Sequence, residues 1–168
     1  MEQRISFMEL PKAYMDSLMG IGAYLRKSAD VDSKLLELIT YRVSQINGCA
    51  FCLDMHHKDA IYHGETEQRL HSLPAWRDCP YYSEPERAAL ELAESLTGKC
   101  DVDDAVYANL EKHFTKDQIA DLALAVSATN TWNRLNITFR TTPGTYQVNQ
   151  RAAGSGTSEG QTLAKAHS

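Results

Sequence analysis

Apolar residues recur along most of this chain at spacings of three and four, which is the period of an amphipathic α-helix. The clearest repeats fall within residues 14–25, 36–46, 88–96 and 119–135. No segment alternates apolar and polar residues convincingly enough to favour a β-strand. The pattern therefore predicts an all-α domain of about six to seven helices.

Capping signals mark the ends of these helices. Asp32 or Ser33 can cap a helix that ends at Gly48, since glycine readily adopts the left-handed conformation found after a helix C-terminus. Capping-box sequences open later helices at residues 83–86 and 115–118. The predicted helices cover residues 11–27, 33–47, 49–63, 65–72 and 83–98, a stretch from 101 or 103 to 113, and one from 115 past 135.

The helical pattern fails from Thr141 onward, where glycine, serine and alanine dominate. A segment of this composition does not bury enough apolar surface to fold by itself. The chain of 168 residues is long enough for one domain with its own core. We therefore predict a single helical domain over residues 1–140 and a flexible C-terminal tail over residues 141–168.

The overall composition excludes several classes of function. Apolar residues make up 43% of the chain and charged residues 23%, and the net charge of −5 gives no electrostatic footprint for nucleic acid. No run approaches the roughly 20 apolar residues that span a bilayer, and the first residues lack the pattern of a signal peptide. We therefore expect a cytoplasmic protein with no nucleic-acid partner and no membrane partner.

Two of the four cysteines lie within the run YRVSQINGCAFCLDMHHKDAIYH at residues 41–63. Cys49, Cys52 and His56 stand at i, i+3 and i+7, so they share one face of a helix that begins near Cys49. In the cytoplasm such a pair is more often catalytic or metal-bound than a structural disulfide. A competing interpretation puts a hairpin turn at residues 47–48, but the flanking residues alternate poorly.

This arrangement of side chains favours thiol chemistry. A free cysteine has a pKa of about 8.5 and reacts as the thiolate, so a reactive cysteine needs help to lose its proton. Cys49 would gain that help from the helix N-terminus, and His56 would take a proton from Cys52 or hold its thiolate as an ion pair. The two sulfurs would also be able to close into a disulfide and store two electrons.

A third group usually fixes the orientation of a histidine base. Spacing proposes no unique candidate, but Glu37 and Tyr41 lie four residues apart on the preceding helix. If the two helices pack antiparallel, Glu37 would reach Cys52 and His56. The alternative is that Glu37 is a solvated surface acid.

The order of Glu37, eleven residues, the sequence Cys-Ala-Phe-Cys at 49–52, three residues and His56 resembles the active-site signature of the alkylhydroperoxidase D (AhpD) family. This family lies within the carboxymuconolactone decarboxylase superfamily. Further similarity in SEPERAALELAESLT and NTWNRLN extends the resemblance over roughly residues 10–140. The resemblance implies an AhpD-like helical bundle that forms homo-oligomers, as trimers or hexamers, and reduces hydroperoxides with thiols in antioxidant defence.

The resemblance also implies roles for individual residues. Cys52 would be the cysteine that reacts with the peroxide, Cys49 would be its resolving partner, and Glu37 with His56 would form the proton relay. The helix dipole instead favours Cys49 as the stronger thiolate, so the order of attack stays open. Phe51 stands where the best-studied pattern of the family has a second histidine, so the relay is shorter here. No bound cofactor is expected; a lipoyl protein or a thioredoxin-type dithiol protein would regenerate the pair.

Other functions fit less well. A zinc site at Cys49, Cys52 and His56 lacks a second ligand pair. A redox sensor needs the cysteines but gains less from a relay. A non-peroxidase thiol–disulfide reductase is a further alternative. Lactone-decarboxylating members of the superfamily generally lack the pair. Cys79 and Cys100 are interpreted as ordinary free cysteines. The polar residues Asn130, Asn133 and Arg134 on the last helix fit either ligand binding or interhelical hydrogen bonds.

Overall fold

Helices account for the regular structure of the computed structural model, which describes residues 2–27 and 29–148. Short 3-10 turns lie at Phe7–Glu9 and Leu73–Asp78, and no strand occurs within the described ranges. The prediction of an all-α domain is therefore confirmed. The seven α-helices are α1 (Lys12–Lys27), α2 (Ser33–Asn47), α3 (Ala50–Tyr62), α4 (Glu67–Ser72), α5 (Glu84–Glu94), α6 (Asp104–Leu110) and α7 (Lys116–Phe139).

The helix ends follow the capping signals closely. Gly48 closes α2 in the left-handed conformation, with φ of 67°, and the next residue, Cys49, caps α3. The hairpin interpretation of residues 47–48 is therefore wrong, because this turn joins two helices. Both predicted capping boxes form, at the starts of α5 and α7.

The end of α5 differs from the prediction that Gly98 stops this helix. The α-helix ends at Glu94, and a π-helical turn, Ser95–Lys99, continues the helical path through Gly98. The chain leaves the helical path only at Cys100, with φ of 54°. Asn130 on α7 donates a hydrogen bond to the side chain of Thr97, so a long-range contact helps to hold the π turn.

Helix α2 lies at the centre of the domain and packs against α3, α5 and α7. Leu38, Ile39 and Val43 on α2 are fully buried in the same core as Leu90 and Leu122. Helix α3 folds back along α2 after the short turn at Gly48, because few residues separate the two helices. This packing lines up the polar residues of α2 with the inner face of α3.

A buried amide network joins α2 to α7. Asn47 donates through Nδ2 to the Oδ1 atoms of Asn130 and Asn133, at 2.9 and 2.8 Å. Asn133, which is fully buried, donates to the hydroxyl of Ser44. Interhelical hydrogen bonding thus accounts for both asparagines, while Arg134 bonds within α7 to Asn130. The network fixes the end of α2 directly before Cys49.

The chain after α7 is described as far as residue 148. Residues 141–148 lie against α3, where Tyr146 is buried and Lys58 Nζ donates to its backbone carbonyl at 3.1 Å. Most of the tail predicted over 141–168 falls on residues 149–168, which lie outside the described residues. None of the helices in the described ranges combines the length and apolar character required to cross a bilayer.

Candidate active site

The two cysteines occupy the N-terminus of α3. Cys49 is the capping residue, and its sulfur accepts a hydrogen bond from the backbone N–H of Cys52 at 3.4 Å. The two residues are joined as a disulfide, with their Cα atoms 5.3 Å apart. Each cysteine is only 1% exposed. The pair therefore sits at the positive end of the helix dipole and is shielded from bulk solvent.

Helix packing brings Glu37 to His56. The Oε2 atom of Glu37 lies 2.9 Å from Nδ1 of His56, and both side chains are largely buried. The interpretation of Glu37 as a solvated surface acid is therefore wrong. His56 follows Cys52 by one turn on the buried face of α3, as the i, i+3, i+7 spacing predicts.

Glu37 and Thr40 together indicate which nitrogen of His56 carries the proton. The Thr40 hydroxyl lies 2.9 Å from the carbonyl oxygen of Leu36 and 3.1 Å from that of Glu37, so its single proton goes to the backbone. The hydroxyl oxygen, 3.2 Å from His56 Nδ1, is then left to accept. An ionised Glu37 carboxylate also only accepts. Both neighbours therefore require Nδ1–H, and Nε2 is left as the basic nitrogen of the ring.

Asp59 and Tyr146 extend this polar group. Ligand atoms of Glu37, His56 and Asp59 all lie within 4.8 Å of one another. The phenol of Tyr146 donates to Asp59 Oδ1 at 2.6 Å, and both residues are buried. Asp59 follows His56 by three residues, so helical spacing was a signal for it, whereas nothing in the sequence around Tyr146 pointed to the site.

The same three side chains are of the types that bind metal ions. Glu37, His56 and Asp59 form the group with metal-site spacing found in the described part of the chain. It does not include Cys49 and Cys52, whose sulfurs are bonded to each other. A cation bound through Nδ1 would have to replace the proton through which His56 hydrogen-bonds to Glu37 and Thr40.

His57, the second histidine of the run, belongs to a separate surface group. Its Nε2 lies 2.9 Å from Glu67 Oε2, and this hydrogen bond lowers the pKa of Glu67 below its ordinary value. The ring of Tyr41 lies 6.2 Å from that of His57, and burial raises the pKa of Tyr41. His57 therefore contacts Glu67 and Tyr41 rather than the pair formed by Glu37 and His56.

The start of the C-terminal segment is anchored beside the site through Asp54. Burial alone would raise the pKa of Asp54, but hydrogen bonds from Lys58 Nζ and from the backbone N–H of Gly144 outweigh it and lower that pKa. These bonds are 2.9 and 3.0 Å long. Because the folded pKa is depressed, this anchoring is present above the ordinary carboxylate range and is lost as pH falls through the lowered pKa.

Comparison with known proteins shows a match to a described family. The model of the carboxymuconolactone decarboxylase family matches residues 9–95. The uncharacterized protein YdfG of Bacillus subtilis is 43% identical over 139 residues, which are 82% of this chain and 94% of YdfG.

Solved structures share the fold. One from Agrobacterium tumefaciens, of unknown function and described as a candidate antioxidant defence protein AhpD, is 32% identical with a TM-score of 0.81. The alignment covers 86% of this chain and all of that protein. The debrominase Bmp8 is 17% identical with a TM-score of 0.69, over 77% of this chain and 70% of Bmp8, and so shares the fold alone.

Proposed function

Because this chain belongs to the carboxymuconolactone decarboxylase family as an AhpD-like member, we propose that it reduces hydroperoxides with its own cysteine pair. The observation that carries the proposal is the 2.9 Å contact between Glu37 and His56 on the helix face that bears Cys52. A carboxylate that orients a histidine beside a thiol is the arrangement that activates a nucleophile. A thiol that merely packs in the core needs no such pair.

The proposed cycle begins with both cysteines reduced. His56 Nε2 takes the proton of the Cys52 thiol, and Glu37 stabilises the imidazolium through Nδ1–H. The thiolate attacks the terminal peroxide oxygen, the O–O bond breaks, and the departing alkoxide takes a proton from His56 to leave as the alcohol. Cys52 is then a sulfenic acid. The Cys49 thiol attacks that sulfur, the S–S bond forms and water leaves.

An external dithiol closes the cycle by reducing the Cys49–Cys52 disulfide. Since both cysteines are 1% exposed, the donor must reach two buried sulfurs. A dihydrolipoyl group on a flexible arm fits this requirement better than the broad surface of a thioredoxin-type protein. The burial of the sulfurs likewise favours a small peroxide as the oxidant.

A donor comparison tests this proposal. Reduced protein is mixed with a small alkyl hydroperoxide and, separately, dihydrolipoamide, dithiothreitol or reduced thioredoxin, and peroxide consumption is followed. We expect sustained turnover with dihydrolipoamide and much slower turnover with thioredoxin. Consumption of one equivalent without turnover, whichever donor is supplied, would contradict the peroxidase function and support a redox sensor. Faster turnover with a disulfide substrate than with peroxide would support a thiol–disulfide reductase.

We also propose that the chain works as a homo-oligomer, either a trimer or a hexamer, as the resemblance to the AhpD family implies. Helix α1 has no buried residue, although it carries an amphipathic pattern. Met19 and Tyr24 on α1 are exposed, and Met8 in the preceding 3-10 turn is 93% exposed. A second copy packed against α1 would bury apolar groups that now contact water.

The oligomer proposal predicts a molar mass in solution that is a multiple of the 18.8 kDa chain. Met19→Glu should lower that mass, because it would put a charge into the covered face. Ser17→Glu, a charge added elsewhere on the same helix, is the matched control. Light scattering coupled to gel filtration checks this, and a monomer for the unmodified chain would contradict the proposal.

A cytoplasmic location completes the proposal. Cys79 and Cys100 are free cysteines, and Cys100 is exposed. A reducing compartment would keep exposed thiols from oxidising and would supply the dithiol donor. Fractionation of cells that express the protein tests this, and recovery from an oxidising compartment would contradict it.

A further inference from the structure

The segment after α7 is seated along α3 by three hydrogen bonds. The backbone N–H of Gly144 donates to Asp54 Oδ2 at 3.0 Å, and Lys58 Nζ donates to the carbonyl of Tyr146 at 3.1 Å. The third bond runs from the Tyr146 phenol to Asp59 Oδ1, at 2.6 Å. Gly144 has φ of 93°, which allows the turn that precedes Tyr146. The contacts flank His56 along α3, since Asp54 precedes it by two residues and Lys58 and Asp59 follow it by two and three.

Asp59 is the point at which this segment meets the active site. Its side chain is buried and lies within 4.8 Å of both Glu37 and His56. Two carboxylates at this separation repel each other and compete for any shared donor. Glu37 accepts the Nδ1–H of His56, and Asp59 accepts the phenol proton of Tyr146. Each carboxylate thus has a donor of its own.

We propose that Tyr146 is a positioning residue of the active site, which acts through Asp59 to keep the Nδ1–H of His56 directed at Glu37. The inference rests on the proposed function, in which His56 is the base for Cys52. Among the described residues, Glu37 from α2 and Asp59 from α3 have carboxylate oxygens within 4.8 Å of a nitrogen of the imidazole, and Tyr146 acts through Asp59.

Loss of the phenol hydroxyl removes the donor that Tyr146 directs at Asp59 Oδ1. Because a ligand atom of Asp59 lies within 4.8 Å of that of His56, Asp59 then competes with Glu37 for the Nδ1–H of the ring. An imidazole turned away from Glu37 presents Nε2 less well to the Cys52 thiol, so the thiolate fraction of Cys52 at neutral pH falls.

The experiment compares Tyr146→Phe with Tyr107→Phe, a change at an exposed tyrosine on α6. The reduced proteins are alkylated with iodoacetamide from pH 5 to pH 10, and the modification of Cys52 is followed by peptide mass spectrometry. In Tyr146→Phe we expect Cys52 to react about threefold to tenfold more slowly at pH 7, a profile midpoint at higher pH, and an unchanged plateau at high pH. Tyr107→Phe should match the unmodified chain.

A double-variant cycle tests the route through Asp59. Once Asp59→Asn has removed the carboxylate, adding Tyr146→Phe should change the profile no further. Equal shifts from Tyr146→Phe in both backgrounds would overturn the proposed route. An unchanged midpoint in Tyr146→Phe would overturn the role itself, even if thermal stability fell, because a purely structural contact does not move the profile. Asp59→Asn alone should also move the midpoint, so a poorly folding Tyr146→Phe does not leave the inference untested.

Alkylation needs neither peroxide nor a donor, so the two proposals fail separately. A shifted midpoint in a protein that consumes no peroxide would contradict the proposed function and retain the positioning role of Tyr146. Peroxide turnover with an unchanged midpoint would support the proposed function and contradict the positioning role of Tyr146.

Discussion

Replacing Cys52 by serine is expected to lower peroxide turnover by at least about a thousandfold, because serine cannot supply the nucleophile on which every step depends. The buried hydroxyl is close in size to the thiol and should leave the fold intact. Peroxide consumption with dihydrolipoamide as donor gives the rate, and circular dichroism verifies that the helices persist.

Cys100→Ser is the matched control for this substitution. Cys100 is an exposed free cysteine that directly follows the π-helical turn, and it has no role in the proposed cycle. Its replacement should leave turnover unchanged. Turnover that survives in Cys52→Ser, or disappears in Cys100→Ser, would show that the reactive thiol has been assigned to the wrong residue.

Cys49→Ser distinguishes the two roles within the pair. If Cys52 is the residue that attacks the peroxide, this variant should consume one equivalent of peroxide and stop at a sulfenic acid on Cys52, because no resolving thiol remains. If the helix dipole makes Cys49 the attacking residue, Cys49→Ser should be inert to peroxide and Cys52→Ser should form the sulfenic acid instead.

The Glu37→Gln substitution should slow peroxide turnover about tenfold to a hundredfold, within the usual contribution of an oriented acid–base group. In the unmodified chain, the Glu37 carboxylate accepts a hydrogen bond from the Nδ1–H of His56. A glutamine amide can turn its NH2 group toward the same nitrogen, which favours the opposite tautomer and puts the proton on Nε2. The ring would then be unable to take the proton of Cys52 without first changing its hydrogen bonds.

Glu67→Gln is the matched control, because Glu67 makes a bond of the same length to the neighbouring histidine, His57. This surface pair lies outside the proposed relay, so its loss should leave turnover unchanged. Alkylation of Cys52 in Glu37→Gln should also be slower at neutral pH. If the rate of alkylation and the turnover both match the unmodified chain, the relay does not operate.

Helical periodicity was sufficient to predict most of the fold, because the core is built from amphipathic helices whose ends carry their own capping residues. The turn at Gly48 illustrates this, since a left-handed glycine followed by a capping cysteine is a local signal. The continuation of α5 into a π turn depends instead on distant contacts such as that between Asn130 and Thr97. A local pattern does not contain that information.

In the candidate site, too, some residues follow from local sequence spacing and others depend on the packed structure. Cys49, Cys52 and His56 lie on one helix, so their spacing alone brought them together, and Glu37 required only that α2 and α3 pack antiparallel. Thr40 and Asp59 follow Glu37 and His56 by three residues, so their positions were open to the same reasoning but their roles depended on knowing which hydrogen bonds form. Their partners became apparent only from the packed structure.

Tyr146 lay beyond any inference from pattern. It is part of the stretch from residue 141 onward, in which no periodicity remains, and its place beside α3 depends on hydrogen bonds to Asp54 and Lys58. The composition of this stretch predicted one flexible tail, whereas its first eight residues include a buried tyrosine beside the site. Short irregular segments take their position from the surface that receives them, which a single sequence does not reveal.

A single-turnover oxidation tests the central claim most directly. Fully reduced protein is mixed anaerobically with one equivalent of an alkyl hydroperoxide, with no donor present, and the peptides are mapped by mass spectrometry. We predict that the peptide containing Cys49 and Cys52 loses two hydrogen atoms as the disulfide forms, that one equivalent of alcohol appears, and that Cys79 and Cys100 stay reduced. A Cys49–Cys52 peptide that remains reduced while the peroxide persists would contradict the assignment of this pair as a peroxide-reducing site.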